Sequence, residues 1–165
     1  MEHLEQQFLS AEKSKENEKT YLEKQFQNPK IFGLEGAEDE IEIFDIIPHK
    51  AKTNVPMLFI SGWSGTPHAY KENILSHAKF GRRVISSNTP HGIEAQNNEQ
   101  FPNSEMRKVV AAIKTLEACG IEKVDAVGHS EGAIDVVMAA VLYPEKFRNI
   151  VLVNPGGLQG KDSLW

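Results

Sequence analysis

The chain has a single cysteine, Cys119, in 165 residues, so no internal disulfide can form and a disulfide-stapled scaffold is excluded. Lysine and arginine number 18 against 23 aspartates and glutamates, a formal net charge of -5. Without a basic surplus, nothing in the overall balance favours a nucleic-acid backbone as partner. The longest greasy stretch, Ala133 to Tyr143, carries Asp135 and is too short to span a bilayer. The N-terminus, MEHLEQQFLSAEK, is acidic and polar and lacks the apolar core of a signal peptide. No histidine or cysteine pair has metal-ligand spacing, and neither a phosphate-binding loop nor a dinucleotide fingerprint is present. No cofactor is therefore expected. What remains is a cytoplasmic globular protein of one domain, whose 40% apolar content suffices for a core.

The first thirty residues contain no glycine, and half of them are Glu, Lys or Gln. Leu4, Phe8, Tyr21, Leu22 and Phe26 recur at roughly helical spacing, and Asn28-Pro29 is a natural stop. Residues 1–30 thus read as an exposed extension, either helical or a charged disordered tail. Residues 31–165 form the domain proper. Ile41 to Ile47 alternates as a half-buried strand, and the acidic run Glu35 to Asp45 around it reads as a solvated face. Further strands are expected at 57–60, 83–87, 124–127 and 150–153, five in all. Between them lie a helix capped by Thr66-Pro67, an amphipathic helix carrying Met106, Val109, Val110, Ile113 and Leu116, and a helix from Glu131 to Tyr143 that is apolar on nearly every side. Such alternation predicts a mostly parallel sheet with helices on both faces, and chemistry at the carboxyl ends of its strands.

One of those ends carries Gly128-His129-Ser130-Glu131-Gly132, which fits G-x-S-x-G. It follows a buried strand and opens a buried helix, the context a nucleophile elbow requires. A tight strand-to-helix turn forces the serine into a strained backbone conformation and lifts its hydroxyl above the sheet. Side chains two residues to either side would collide, hence the glycines. Ser130 is the candidate nucleophile; its bland alternative is an ordinary helix-capping serine. Glu131 is open between a side chain facing a substrate pocket and one facing solvent. Asp135 and Glu145 read as helix-surface residues, and Cys119 as a small buried residue rather than a reactive thiol.

With the loop Ser61-Gly62-Trp63-Ser64-Gly65 after an earlier strand, these residues resemble the α/β-hydrolase superfamily over about residues 31–165. The loop Asn88-Thr89-Pro90-His91-Gly92 is similar to a turn of the same family. Position 61 is serine where family members often have histidine. The resemblance implies an oxyanion hole made by the backbone N–H groups of Trp63 and Glu131. It implies acyl chemistry on a small-molecule substrate, since relatives that open epoxides use aspartate where Ser130 stands. It also implies a triad acid and then a histidine later in the chain.

All six histidines (His3, His49, His68, His77, His91 and His129) precede Ser130. His91 lies on the correct edge of the sheet but at no position the family uses for its base, His129 packs beneath the elbow, and Asp162 falls where the family's lid begins. The expectation is therefore a partial α/β-hydrolase fold with its C-terminal strands missing. It would be the front portion of a serine hydrolase acting on an ester, thioester, amide or related acyl bond. The alternative is a truncated, non-catalytic binding module of the same fold. In either case Val151 to Val153 becomes an exposed apolar edge.

Overall fold

The computed structural model describes residues 2–33, 40–63, 65–88 and 103–156. Helix α1 spans Glu2–Gln27, followed by strands β1 (Lys30–Gly33), β2 (Glu40–Ile46) and β3 (Met57–Ile60). A 3-10 turn at Pro67–Tyr70 leads into α2 (Lys71–Lys79) and then β4 (Val84–Asn88). Helix α3 (Asn103–Ala118), strand β5 (Val124–His129), helix α4 (Gly132–Leu142), a second 3-10 turn (Pro144–Lys146) and strand β6 (Phe147–Val153) complete the described chain.

The strands form one sheet in the order β1-β2-β4-β3-β5-β6. The four strands β4, β3, β5 and β6 run parallel, while β1 and β2 are antiparallel additions at the far edge. This is the mostly parallel α/β sheet expected. The sixth strand is β1, which Ile31-Phe32 alone could not announce because four residues are too few to show alternation.

Period-two alternation decides which side chains go where. Ile41, Ile43, Leu58, Ile85, Val124 and Ala126 point to one face and pack against Ala111, Ala112 and Leu116 of α3 and Val136 of α4. Phe44, Ile46, Met57 and Val84 point to the other and meet Ile74, Leu75 and Ala78 of α2 and Leu22 and Phe26 of α1. Each such large apolar side chain removed from water is worth about 1.5–3 kcal/mol, so both layers are needed to hold the sheet. The last turns of α1 are accordingly part of the core and not an exposed extension. Sequence spacing could not reveal this, because Phe26 meets Phe44 (ring centroids 4.8 Å apart) on a different element far along the chain.

Glycines end two helices. Gly81 has φ +87°, and the N–H of Arg82 reaches back to the carbonyl of His77. Gly120 has φ +65°, and the N–H of Ile121 donates to Leu116 in the same way. Both carbonyls would otherwise be orphans of the last helical turn. At the start of the 3-10 turn, Thr66 takes the extended backbone of a cap, but its hydroxyl makes no capping bond.

Three further expectations are corrected. Asp45, in the acidic run read as a solvated face, is buried and held by Arg83 (Nε to Oδ1 2.7 Å) and Lys30 (2.8 Å). Burial alone would push its carboxyl up. The hydrogen bonds and charges of Arg83 and Lys30 outweigh that and hold it below the ordinary carboxylate range. Asp135 is buried in the first turn of α4 rather than lying on a helix surface. Conversely, α4 is not covered all round, because Val141 and Leu142 at its end are exposed. Strand β6 is uncovered along most of its length, with Ile150, Val151 and Val153 all exposed. Among the described residues, no helix is long and apolar enough to cross a membrane.

Candidate active site

Three parallel strands bring the candidate residues to one end of the sheet. Strand β5 ends at His129 and α4 begins at Gly132, so only Ser130 and Glu131 make the turn. Ser130 takes φ +55°, in the left-handed region. A non-glycine residue held there costs on the order of 1–2 kcal/mol, so the surroundings must enforce it. The Ser130 N–H donates to the carbonyl of Val153 (3.0 Å), its own carbonyl accepts from Ala133 (3.1 Å), and Gly156 N–H reaches the same oxygen at 3.1 Å. The turn is thereby fastened both to the next strand and to the helix it opens.

The glycines explain how the turn is packed. A Cβ at position 128 would stand 2.4 Å from the carbonyl oxygen of Gly132 and 2.6 Å from Cα of Ala133. One at position 132 would stand 2.4 Å from the carbonyl oxygen of Ser61 and 2.6 Å from that of Ile60. The first glycine lets the helix fold back on its own strand. The second lets the helix start press on the end of β3. Both neighbours are backbone and cannot swing away.

The loop after β3 closes the arrangement. A Cβ on Gly62 would meet Cβ of Ser130 at 2.8 Å and the His129 carbonyl at 3.0 Å. Gly65 N–H donates to Gly62 O (2.9 Å) and the Ser61 hydroxyl to Gly65 O (2.7 Å), so Ser61, Gly62 and Gly65 are bonded to one another directly beside the elbow. Trp63 is the next residue along from that close approach and is 76% exposed. Among the described residues, neither Trp63 N–H nor Glu131 N–H donates to a backbone carbonyl, and the Ser130 hydroxyl makes no hydrogen bond.

The Glu131 side chain follows neither expectation. It pairs with Lys108 of α3 (Nζ to Oε2 3.0 Å), whose side chain is almost wholly buried. This long-range pair anchors the elbow to α3, and no local spacing announced it. The His129 ring turns toward the 3-10 turn before α2, where its Nδ1 lies 2.8 Å from the Tyr70 hydroxyl. Cys119 is half-buried, and burial pushes its thiol up and away from reactivity. Asp125, near the start of the elbow strand, is bound by Arg148 (2.8 Å), Arg82 and Asn149 (2.9 Å), and these bonds hold its carboxyl well below the ordinary range. His91 and Asp162, along with Thr89, Pro90 and Gly92 of the other motif loop, lie outside the described residues.

A family model described as the alpha/beta hydrolase fold matches residues 55–165. A 2-hydroxy-6-oxononadienedioate/2-hydroxy-6-oxononatrienedioate hydrolase of Comamonas testosteroni is 33% identical over 100 residues, covering 59% of this chain and 32% of its own. The chain thus spans about a third of the length of that curated relative. Among solved structures, a probable hydrolytic enzyme of Pseudomonas aeruginosa superposes with a TM-score of 0.64 at 24% identity, covering 78% of this chain and 41% of its own. A structure from a study of Nitrososphaera gargenis carboxylesterases gives 0.64 at 20% identity, covering 77% and 46%. At those identities the two structures speak for the fold alone.

Proposed function

Because the chain belongs to the alpha/beta hydrolase fold family, we propose that it is the nucleophile-bearing part of a serine hydrolase, with Ser130 as the attacking residue. The observation that carries this reading is the left-handed backbone of Ser130, φ +55°, beside a glycine whose Cβ would touch it. Strain of this kind persists only where surrounding structure enforces it, and it concentrates at functional sites.

In the proposed reaction, Ser130 Oγ attacks a carbonyl carbon and its proton passes to a base. The carbonyl oxygen gains the electron pair and is held by the N–H groups of Trp63 and Glu131. These two donors flank Ser130 in sequence and across the Gly62 contact. Each such donor is typically worth about 2.7–4 kcal/mol of transition-state stabilisation. The start of α4 adds the positive end of its dipole. Collapse breaks the bond to the leaving group, and water then cleaves the acyl-serine. The substrate is an ester, thioester, amide or related carbonyl compound. The name of the Comamonas testosteroni relative, which includes a 6-oxo acid, favours a carbonyl-bearing acid within that range.

His129 turns its Nδ1 to the Tyr70 hydroxyl, 2.8 Å away, and is not assigned as the base. We assign the imidazole base and its carboxylate to chain outside these 165 residues. The second reading is a non-catalytic module of the same fold. One experiment separates the two. The protein expressed from its full coding frame is treated with a fluorophosphonate and the adduct is located by peptide mass. The hydrolase reading predicts labelling at Ser130 that vanishes in Ser130→Ala. Absence of labelling, or labelling that survives the substitution, favours the module.

A further inference from the structure

The overall negative charge conceals one concentrated patch of the opposite sign. Five lysines, Lys13 and Lys15 of α1, Lys50 and Lys52 of the loop after β2, and Lys79 at the end of α2, line a single concavity of about 620 Å³. They come from three separate segments, so the clustering is a product of folding and not of a basic run in the sequence. The one carboxylate among the described lining residues, Glu18, is already paired with the His49 ring.

The walls are built, not incidental. Gln25 clamps the backbone of Ile47 from both sides, its amide donating at 3.0 Å and accepting at 2.9 Å. Tyr21 stacks on His49 with ring centroids 3.7 Å apart, and Glu18 accepts from the His49 N–H at 3.2 Å. These contacts pin α1 to the loop. The loop is in turn pinned to the end of α2, because Lys52 N–H donates to Gly81 O at 2.7 Å. A Cβ on Gly81 would stand 2.8 Å from Cγ of Lys52 and 2.9 Å from Lys50 O, so the glycine lets the stem of Lys52 lie along the floor.

Ammonium groups that share one concavity all attract an anion placed in it. Lysine binds phosphate as a compact, adaptable point charge. The volume lies within the span of about 300–1,000 Å³ common for small-molecule sites, too large for one phosphate. We propose that this concavity binds a polyphosphate chain, either free or carried by a nucleoside. The proposal is independent of the hydrolase reading and lies on a different part of the molecule.

The test is titration calorimetry of the protein expressed from its full coding frame with tripolyphosphate, ATP, adenosine, sulfate and oligoglutamate at matched ionic strength. Tripolyphosphate and ATP are expected to bind one per chain, and adenosine not at all. ATP binding more tightly than tripolyphosphate marks a nucleoside-borne chain, and equal binding marks free polyphosphate. Each exposed ion pair contributes a few-fold at most, so Lys50→Gln with Lys52→Gln is expected to weaken binding about tenfold. All five lysines are exposed, so these changes leave the core untouched. Lys50→Arg with Lys52→Arg is expected to keep the affinity within about threefold, and added salt to weaken it. Absence of binding at millimolar ligand overturns the proposal. So do binding indifferent to the glutamine changes, sulfate binding as well as tripolyphosphate, and oligoglutamate binding better than either.

Discussion

Substituting the proposed nucleophile by glycine should make the protein more stable. Ser130 has φ +55°, a conformation that costs an L-residue on the order of 1–2 kcal/mol and glycine nothing. Glycine loses about 0.5–1 kcal/mol of that advantage through the greater freedom of its unfolded chain. Ser130→Gly should therefore exceed Ser130→Ala by about 0.5–1 kcal/mol, because alanine keeps the Cβ and the strain. Ser130→Ala itself should lie close to the parent, since the hydroxyl has no hydrogen-bond partner among the described residues. For a chain of this size the difference corresponds to about 1–4 °C in Tm. Urea unfolding followed by circular dichroism measures it. A cycle with Gly62→Ala sharpens the test. The new Cβ would meet Cβ of Ser130 at 2.8 Å, a clash that disappears in the Ser130→Gly background and leaves the His129 carbonyl at 3.0 Å. Coupling of about 1 kcal/mol is expected, within the usual span for touching residues. Equal stability of the alanine and glycine variants, or additivity with Gly62→Ala, would refute the strained-elbow reasoning.

Other perturbations follow from the same packing. Gly128→Ala places a methyl 2.4 Å from a backbone oxygen and should cost about 3 kcal/mol or more, read as a fall in the denaturation midpoint. Phe26→Ala removes a buried ring from the contact with Phe44 and should cost about 3–5 kcal/mol, whereas changes at exposed Gln6 should be neutral; equal effects would contradict the docking of α1. The carboxyls of Asp45 and Asp125 are held below their ordinary range, so the folded state binds fewer protons than the unfolded one there. Their stabilisation is full above the unfolded carboxylate range, about pH 4, and is lost as pH falls through the folded values. Asp45→Asn should flatten that acid limb and lower stability by about 2–4 kcal/mol, less than a fully buried pair because Arg83 is partly exposed. An unchanged acid limb in chemical denaturation would contradict the assignment.

How much of this could be read from the sequence depended on distance along the chain. Apolar runs such as Met57 to Ile60 and Ile150 to Val153 disclosed strands because a strand's signal is local. The alternation of helices between them disclosed the parallel order. The elbow was legible because its two glycines and its serine lie within five residues. What stayed hidden was set by partners far away. Asp45 looks like one more solvated acid until Arg83 and Lys30 come to it. Glu131 offers no hint of Lys108, and Phe26 none of Phe44. Strand β1 is four residues recruited by the edge of β2, with too little pattern of its own. The lysine-lined concavity draws on residues 13 to 79 and leaves no trace in the net charge.

The most direct measurement is a crystal structure of the protein after reaction with a fluorophosphonate. The account predicts phosphorus bonded to Ser130 Oγ, with one phosphoryl oxygen about 3 Å from both the Trp63 and Glu131 amide nitrogens. Phosphorus bonded elsewhere, or an oxygen turned away from both amides, would contradict it.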